Sequence, residues 1–173
     1  MNILLIKIKR KILLNLNKIL NLLKLEIKNK TISNEKLLKN LIKIENPIIL
    51  DIGANVGQTI IKYQKLFPKA KILSFEPSPE IFENLKKRFK NIENLYIYNL
   101  AFGSEETNKT FYINERSHNS GFYKLQDGFK IKNFPDEKMS YKGSLNVKLT
   151  TLDNFVEEKK LTRIDILKID TEG

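Results

Sequence analysis

Cysteine is absent from this chain of 173 residues. Its absence excludes a disulfide framework, a cysteine-based zinc site and a cysteine nucleophile, and it is compatible with a reducing compartment. Histidine is almost absent too, because His118 is the single example. A lone histidine in a loop-like stretch is usually exposed, so His118 is only an alternative general base. We predict a cytoplasmic protein with no resident metal site.

Long apolar runs are missing as well. Leucine and isoleucine recur at helical spacing in residues 1–30, but lysines interrupt them every few residues, which excludes a transmembrane span. The stretch also lacks the clean apolar core and the cleavage site of a signal peptide. We interpret it as a helix that packs on the main domain. The alternatives are a basic amphipathic helix lying on an anionic membrane surface, and a disordered leader.

Acidic residues are scarce in only one part of the chain. The formal net charge is +11; residues 1–46 carry eleven Lys or Arg against three Asp or Glu, and the remainder carries twenty against seventeen. The composition is biased to Lys, Ile, Asn and Leu, as an AT-rich genome would produce, so we discount the charge as a sign of nucleic-acid binding. We predict a second helix from Ser33 or Asn34 to about residue 44, and a domain boundary between residues 46 and 47.

The second domain, residues 47–173, opens on a short apolar run that leads into a glycine-bearing turn. We predict a buried strand at 48–52, a tight loop at 53–57 and a helix at 58–67 that Pro68 stops. Gly53 and Gly57 leave room for a ligand beside the backbone and allow positive φ. The N-terminus of the following helix presents N–H groups to electron-rich atoms.

Strands and helices alternate through the rest of the domain. We predict strands at 71–75 and 95–99 with a helix at 79–90 between them. This spacing is typical of right-handed parallel βαβ units, so we predict an α/β fold with a parallel sheet flanked by helices. Periodicity weakens after a turn at 101–103. There we predict short strands at 109–113 and 147–149, a helix at 152–160 and a buried strand at 164–169.

Polar residues stand at the ends of four of these strands, namely Asp51, Glu76, Asn99 and Asp170. In an open α/β sheet the ligand lies beyond the carboxyl ends of the strands. Glu76 stands about twenty residues beyond the glycine turn and can accept hydrogen bonds from ribose hydroxyls, whether of NAD or of S-adenosylmethionine. The dinucleotide fingerprint needs glycine at its first, third and sixth positions, where this chain has Gly53, Asn55 and Gln58, so NAD is disfavoured.

The turn suits a ligand that carries an amino-acid group. Asp51 is placed to reach an ammonium group, directly or through water. Backbone groups between Gly53 and Gly57 are placed to meet a carboxylate.

Five motifs occur in a fixed order along the chain. They are Leu50-Asp51-Ile52-Gly53-Ala54-Asn55-Val56-Gly57, Phe75-Glu76-Pro77-Ser78-Pro79, Asn99-Leu100-Ala101-Phe102-Gly103, Thr151-Leu152-Asp153 and Leu167-Lys168-Ile169-Asp170-Thr171-Glu172-Gly173. Together they resemble the FkbM family of S-adenosylmethionine-dependent methyltransferases, from about residue 47 to the end. The resemblance implies a class I methyltransferase fold, which is Rossmann-like, and methyl transfer to a hydroxyl of a glycan or related small molecule.

The resemblance also implies roles for individual residues. By motif match, Asp51, Gly53, Asn55 and Gly57 line the methionine part of the cofactor, Glu76 holds the ribose, Asn99 and Ala101 meet the adenine, and Asp170 and Glu172 face the methyl group and the acceptor. One of the last two is implied as the base or as the group that orients the acceptor. Mg²⁺ held by this pair of carboxylates is an alternative.

Two other functions stay open at this point. The first is a nucleic-acid methyltransferase, which the acidic end of the fifth motif disfavours because carboxylates repel phosphates. The second is an inactive methyltransferase remnant associated with a membrane surface through residues 1–30. The family's fold continues past Glu172-Gly173, so we expect this chain to hold the cofactor-binding half of a domain truncated at its C-terminus, with the strand at 164–169 at an open edge.

Overall fold

The structure is a computed structural model that describes residues 34–115, 120–124 and 141–171. The predictions for residues 1–33, for His118 and for Glu172 lie outside these ranges. Within them, no helix combines the length and the apolar character that crossing a membrane requires.

The described elements alternate much as the sequence predicts. In chain order they are α1 (Asn34–Leu41), β1 (Ile48–Ile52), α2 (Gln58–Leu66), β2 (Lys71–Phe75), α3 (Pro79–Arg88), β3 (Leu95–Tyr98), β4 (Ala101–Phe102), β5 (Thr107–Asn114), β6 (Tyr141–Thr150), α4 (Leu152–Glu158) and β7 (Ile166–Ile169). Helix α1 crosses the boundary between two compact units, Met1–Leu38 and Lys39–Gly173, and the sheets belong wholly to the second unit. The domain boundary at 46/47 stays a prediction.

A four-stranded parallel sheet forms the centre of the second unit, with strand order β3-β2-β1-β7. Strand β1 is buried from Ile49 to Ile52, because parallel strands are covered on both faces and therefore read as unbroken apolar runs. The chain runs from β1 to β2 and β3 on one side and returns to the other side at β7, so strand order reverses at β1. This Rossmann-like arrangement confirms the predicted fold class.

Local signals in the sequence explain where the helices begin and end. Helix α2 starts after Gly57, whose φ is 87°, and ends before Phe67 and Pro68. Helix α3 has Pro79 at its first position, where a missing N–H does no harm, and basic residues in its last turn, where they complement the helix dipole. Both helices end one or two residues earlier than predicted.

An aromatic cluster on one face of the parallel sheet fixes the carboxyl end of β2. The ring of Phe75 lies 4.7 Å from that of Phe102, 4.9 Å from that of Phe155 and 5.3 Å from that of Tyr98, measured between centroids. Each aromatic pair of this kind contributes about 0.5–1.5 kcal/mol beyond its buried area. Phe75 is fully buried, so the next residue, Glu76, leaves the sheet from a rigid position.

A second sheet, with strand order β4-β6-β5, was only partly predicted. The turn expected at 101–103 is wrong for Ala101–Phe102, which form β4 and pair in parallel with Leu149–Thr150. The strands expected at 109–113 and 147–149 are longer, and together they form an antiparallel pair. Polar residues that face solvent break the apolar alternation of β5 and β6, which is why the sequence gives weak signals here.

Strand β7 lies at the edge of the parallel sheet, as expected. Among the described residues it pairs only with β1. Its side chains Leu167 and Ile169 are 44% and 61% exposed.

Candidate functional site

A cavity of about 330 Å³ opens at the carboxyl ends of β1, β2 and β7, where strand order reverses. This is the position at which open α/β sheets bind their ligands. Residues of both sheets line it: Ile52, Gly53, Ala54, Asn55, Gln58, Thr59, Phe75, Glu76, Pro77, Leu100, Ala101, Phe102, Phe111, Ser120, Phe122, Lys168, Asp170 and Thr171. Five of the predicted site residues are in this set: Gly53, Asn55, Glu76, Ala101 and Asp170.

The turn after β1 adopts a left-handed backbone, as predicted from its glycines. The φ angles of Gly53 and Gly57 are 82° and 87°, and that of Asn55 is 45°. Asparagine is among the few side chains that tolerate this region.

At both glycines the position that a Cβ would occupy is filled by protein atoms, although Gly53 still lines the cavity. A Cβ added at Gly53 would stand less than 3.0 Å from the carbonyl oxygen of Asp170. A Cβ added at Gly57 would meet the ring of Phe89 at a similarly forbidden distance. Glycine is required at these positions because neighbouring elements pack against them, and the cavity lies to one side.

Glu76 ties the glycine turn to the end of β2. Its side chain is only 5% exposed. One carboxylate oxygen, Oε2, accepts a hydrogen bond of 2.9 Å from the Asn55 N–H, and the other, Oε1, accepts one of 3.0 Å from the Ser78 N–H. Burial raises the pKa of Glu76 above its ordinary value, and the two N–H donors oppose that rise. A carboxylate offers about four lone pairs, so acceptor capacity is left on the side that faces the cavity.

Asp51 is fully buried and is not among the residues that line the cavity, whereas Lys168 is. The Nζ of Lys168 is 3.1 Å from Oδ1 of Asp51, and the Ser74 hydroxyl donates to Oδ2 at 3.4 Å. Burial raises the pKa of Asp51, while the charge of Lys168 lowers it. The structure thus pairs Asp51 with a side chain of the protein itself.

Asn99 is not among the residues that line the cavity, but it hydrogen-bonds to the backbone of the site. Its Nδ2 donates to the carbonyl oxygens of Glu76 and Pro77, at 2.9 and 2.8 Å. These bonds hold the backbone that carries the Glu76 carboxylate. Ala101, two residues further along the chain, is buried and lines the cavity.

Asp170 brings a second carboxylate to the cavity. Its backbone N–H donates to the Ile52 carbonyl at 3.0 Å, and its side chain is 80% exposed. Within the described ranges, no three acidic or histidine side chains converge closely enough to hold a metal ion. Glu172 lies outside those ranges, so its role and the Mg²⁺ alternative stay predictions.

Sequence reasoning missed Lys168 and two aromatic residues of the cavity wall, Phe111 and Phe122. Lys168 has a signal in the sequence, because it is a lone cation in an apolar strand; the register of β1 and β7 places it directly beside Asp51. Phe111 and Phe122 pack edge to face, with centroids 5.4 Å apart, and form the far wall of the cavity. No motif pointed to them.

In a comparison with known protein families, residues 51–173 match the methyltransferase FkbM domain. Among curated proteins, the 2-O-methyltransferase NoeI of Sinorhizobium fredii is 24% identical, over 74% of this chain and 54% of its own length. Methyltransferase 1 of Beauveria bassiana is 27% identical, over 75% and 55%. Methyltransferase sdnD of Sordaria araneosa is 28% identical, over 74% and 57%. This chain spans about half the length of these relatives.

Solved structures overlap this chain only in part. The crystal structure of P. horikoshii TYW2 in complex with MeSAdo covers 40% of this chain and 27% of its own, with 18% identity and a TM-score of 0.32. An overlap of that extent carries no argument about function.

Proposed function

Because this chain belongs to the FkbM methyltransferase family, we propose that its cavity binds S-adenosylmethionine and that the protein is an O-methyltransferase. The observation that carries the proposal is the closure of Glu76 on the glycine turn beside the cavity. Its carboxylate lies 2.9 Å from the Asn55 N–H, and two separate strands hold this arrangement in place.

The residues present fit this cofactor. Glu76 has acceptor capacity for the two ribose hydroxyls, and Gln58 and Thr59 bring the N-terminus of α2 to the cavity for an electron-rich group. Ala101 and Phe102 supply an apolar surface for the adenine ring. The cavity volume of about 330 Å³ lies within the range of about 300–1,000 Å³ common for small-ligand sites.

Asp170 is the residue we propose to act on the acceptor. When bound, the cofactor supplies a methyl group on a sulfonium, which is already a good electrophile, so the protein mainly orients the attacking oxygen. A hydroxyl must lose its proton as it attacks. The Asp170 carboxylate lines the cavity and is exposed, so it can accept that proton or hold the hydroxyl in line. Glu172 is the alternative that the family motif implies.

We propose a glycan or a related small molecule as the acceptor. One relative carries the name 2-O-methyltransferase, which supports transfer to a hydroxyl oxygen. Phe111 and Phe122 give the far wall of the cavity an aromatic character, which suits the apolar face of a sugar ring. A nucleic acid is disfavoured, since the exposed Asp170 carboxylate would repel a phosphate brought to the cavity.

Cofactor binding is tested by isothermal titration of the chain with S-adenosylhomocysteine, the demethylated product. We compare wild type with Glu76→Gln and, as a matched control, with Glu93→Gln at an exposed position. Hydrogen bonds to a charged group contribute about 1.5–3 kcal/mol, so Glu76→Gln is expected to weaken binding by roughly 10- to 150-fold. Glu93→Gln is expected to bind as wild type does. An absence of heat with a folded wild-type sample, or equal affinity in both variants, contradicts the proposal.

Methyl transfer is tested separately, with labelled S-adenosylmethionine and a set of mono- and oligosaccharides. Label recovered on a sugar oxygen supports the acceptor class. Label on no saccharide, in a sample that binds S-adenosylhomocysteine, contradicts that class and leaves the cofactor proposal standing.

A further inference from the structure

The ammonium group of Lys168 joins three parts of the cavity wall. Its Nζ donates to the carbonyl oxygen of Gly53 at 2.8 Å, lies 3.1 Å from Oδ1 of Asp51 and lies 3.6 Å from Oδ2 of Asp170. These acceptors come from the glycine turn, from the middle of β1 and from the end of β7. The side chain is 21% exposed and lines the cavity, so this junction forms part of the surface that a ligand meets.

The charge of Lys168 is needed because Asp51 has no access to water. The titratable groups that face Asp51 from the surrounding elements are Tyr63 on α2, Glu76 after β2, and Lys168 and Asp170 on and after β7. Among these groups only Lys168 is a cation. A fully buried carboxylate without a cation is strongly disfavoured, so removing Lys168 leaves Asp51 to be protonated or the wall to rearrange.

The positions of the glycine turn and of Asp170, just after β7, are also coupled through the backbone. Gly53 has no room for a side chain because the Asp170 carbonyl packs against it, and the Asp170 N–H donates to the Ile52 carbonyl. A shift of the turn therefore displaces Asp170. Lys168 contacts both partners as well as the buried charge beneath them.

We propose that Lys168 is a positioning residue: by neutralising Asp51 and holding the Gly53 carbonyl, it keeps the glycine turn and Asp170 in the arrangement that receives the cofactor. The identity of that cofactor rests on the function proposed above. The role of Lys168 within the cavity wall does not.

The test compares Lys168→Met with the double variant Asp51→Asn/Lys168→Met. Lys71→Met, at the exposed start of β2, is the control for loss of a strand lysine. Two quantities are measured for each: the affinity for S-adenosylhomocysteine at about pH 7.5, and the melting temperature between about pH 5 and 8. The double variant is decisive, because removing both partners of a buried pair is far less harmful than removing one.

We expect Lys168→Met to weaken binding at least about tenfold and the double variant to recover most of that loss. The melting temperature of Lys168→Met should fall, relative to wild type, as pH rises, since the folded chain retains a proton on Asp51 that the unfolded chain has released. The double variant has no carboxyl group at position 51, so its melting temperature should show no such fall relative to wild type. A Lys168 that merely fills space would give neither the recovery nor the slope.

Three outcomes would overturn the proposal. Lys168→Met could bind S-adenosylhomocysteine as tightly as wild type does, or the single and double variants could lose the same affinity. The melting temperatures of Lys168→Met and wild type could also change with pH in parallel. If Lys168→Met does not fold, a double variant that folds and binds supports the proposal, and one that also fails to fold overturns it. If wild type binds no S-adenosylhomocysteine, the proposed function fails while the melting profiles still decide the role of Lys168.

Discussion

Replacing Gly53 with alanine tests the central geometry of the site, because this residue combines a left-handed backbone with a close neighbour. Its φ is 82°, and an added Cβ would stand less than 3.0 Å from the Asp170 carbonyl oxygen. A flexible side chain could move away from a new methyl group. The obstacle here is backbone, and the Asp170 N–H is itself bonded to Ile52.

The expected loss of stability follows from three contributions. A non-glycine residue in the left-handed region costs roughly 1–2 kcal/mol. Overpacking a close contact costs about 1–3 kcal/mol. The smaller conformational entropy of alanine in the unfolded chain returns about 0.4–1 kcal/mol. The free energy of unfolding should therefore fall by about 1–5 kcal/mol, which lowers the melting temperature of a chain of this size by about 2–20 °C.

Gly143→Ala is the matched control for Gly53→Ala. Gly143 lies in β6 without positive φ, and an added Cβ would meet nothing within 4 Å. Its replacement should leave the melting temperature unchanged or raise it slightly. Thermal unfolding followed by circular dichroism measures both variants. A Gly53→Ala protein that melts within about 1 °C of wild type would refute the close packing of the turn against Asp170.

Two further predictions concern polar groups around the turn. Asn99→Ala removes the hydrogen bonds to the Glu76 and Pro77 carbonyls, which can bond to water instead. The melting temperature should fall by about 2–4 °C, the equivalent of about 1 kcal/mol. The control Asn108→Ala, on β5, should leave the melting temperature unchanged. Equal melting of the two variants would contradict this role of Asn99. Burial raises the pKa of Asp51 above its ordinary 3.8, so its contribution to stability is present below that pH and is lost as pH rises toward the folded-state pKa. Asp51→Asn should therefore gain melting temperature relative to wild type as pH rises from about 4 toward neutrality, and a constant difference would count against the shift.

The sequence allowed the parallel sheet to be predicted closely because burial dictates its residues. Strands β1 and β2 have both faces covered, and their apolar runs give the correct bounds, Ile48–Ile52 and Lys71–Phe75. The hairpin of β5 and β6 could not be predicted in full, since its exposed faces tolerate polar residues that hide the alternation. Local patterns weaken where solvent, and not packing, surrounds the strand.

The residues of the candidate site, like the strands, could be predicted only in part. Glu76 was predictable because its distance from the glycine turn fixes its place at the end of the next strand, and the structure puts its carboxylate 2.9 Å from the turn. The pairing of Asp51 with Lys168 was not predictable from either motif alone, because it depends on the register between strands more than a hundred residues apart. The bonds from Asn99 to the backbone were not predictable either, because they join the ends of two neighbouring strands.

The two walls of the cavity have unequal freedom to change during evolution. On one side of the cavity, Gly53 leaves no room for a side chain because an added Cβ would collide with the Asp170 carbonyl oxygen. The other wall is made of side chains, among them Phe111 of β5 and, further along the chain, Ser120 and Phe122. Mutations in that second wall can change the shape of the cavity while the glycine turn keeps its form. Related proteins can therefore vary the side-chain wall while they retain the glycine turn.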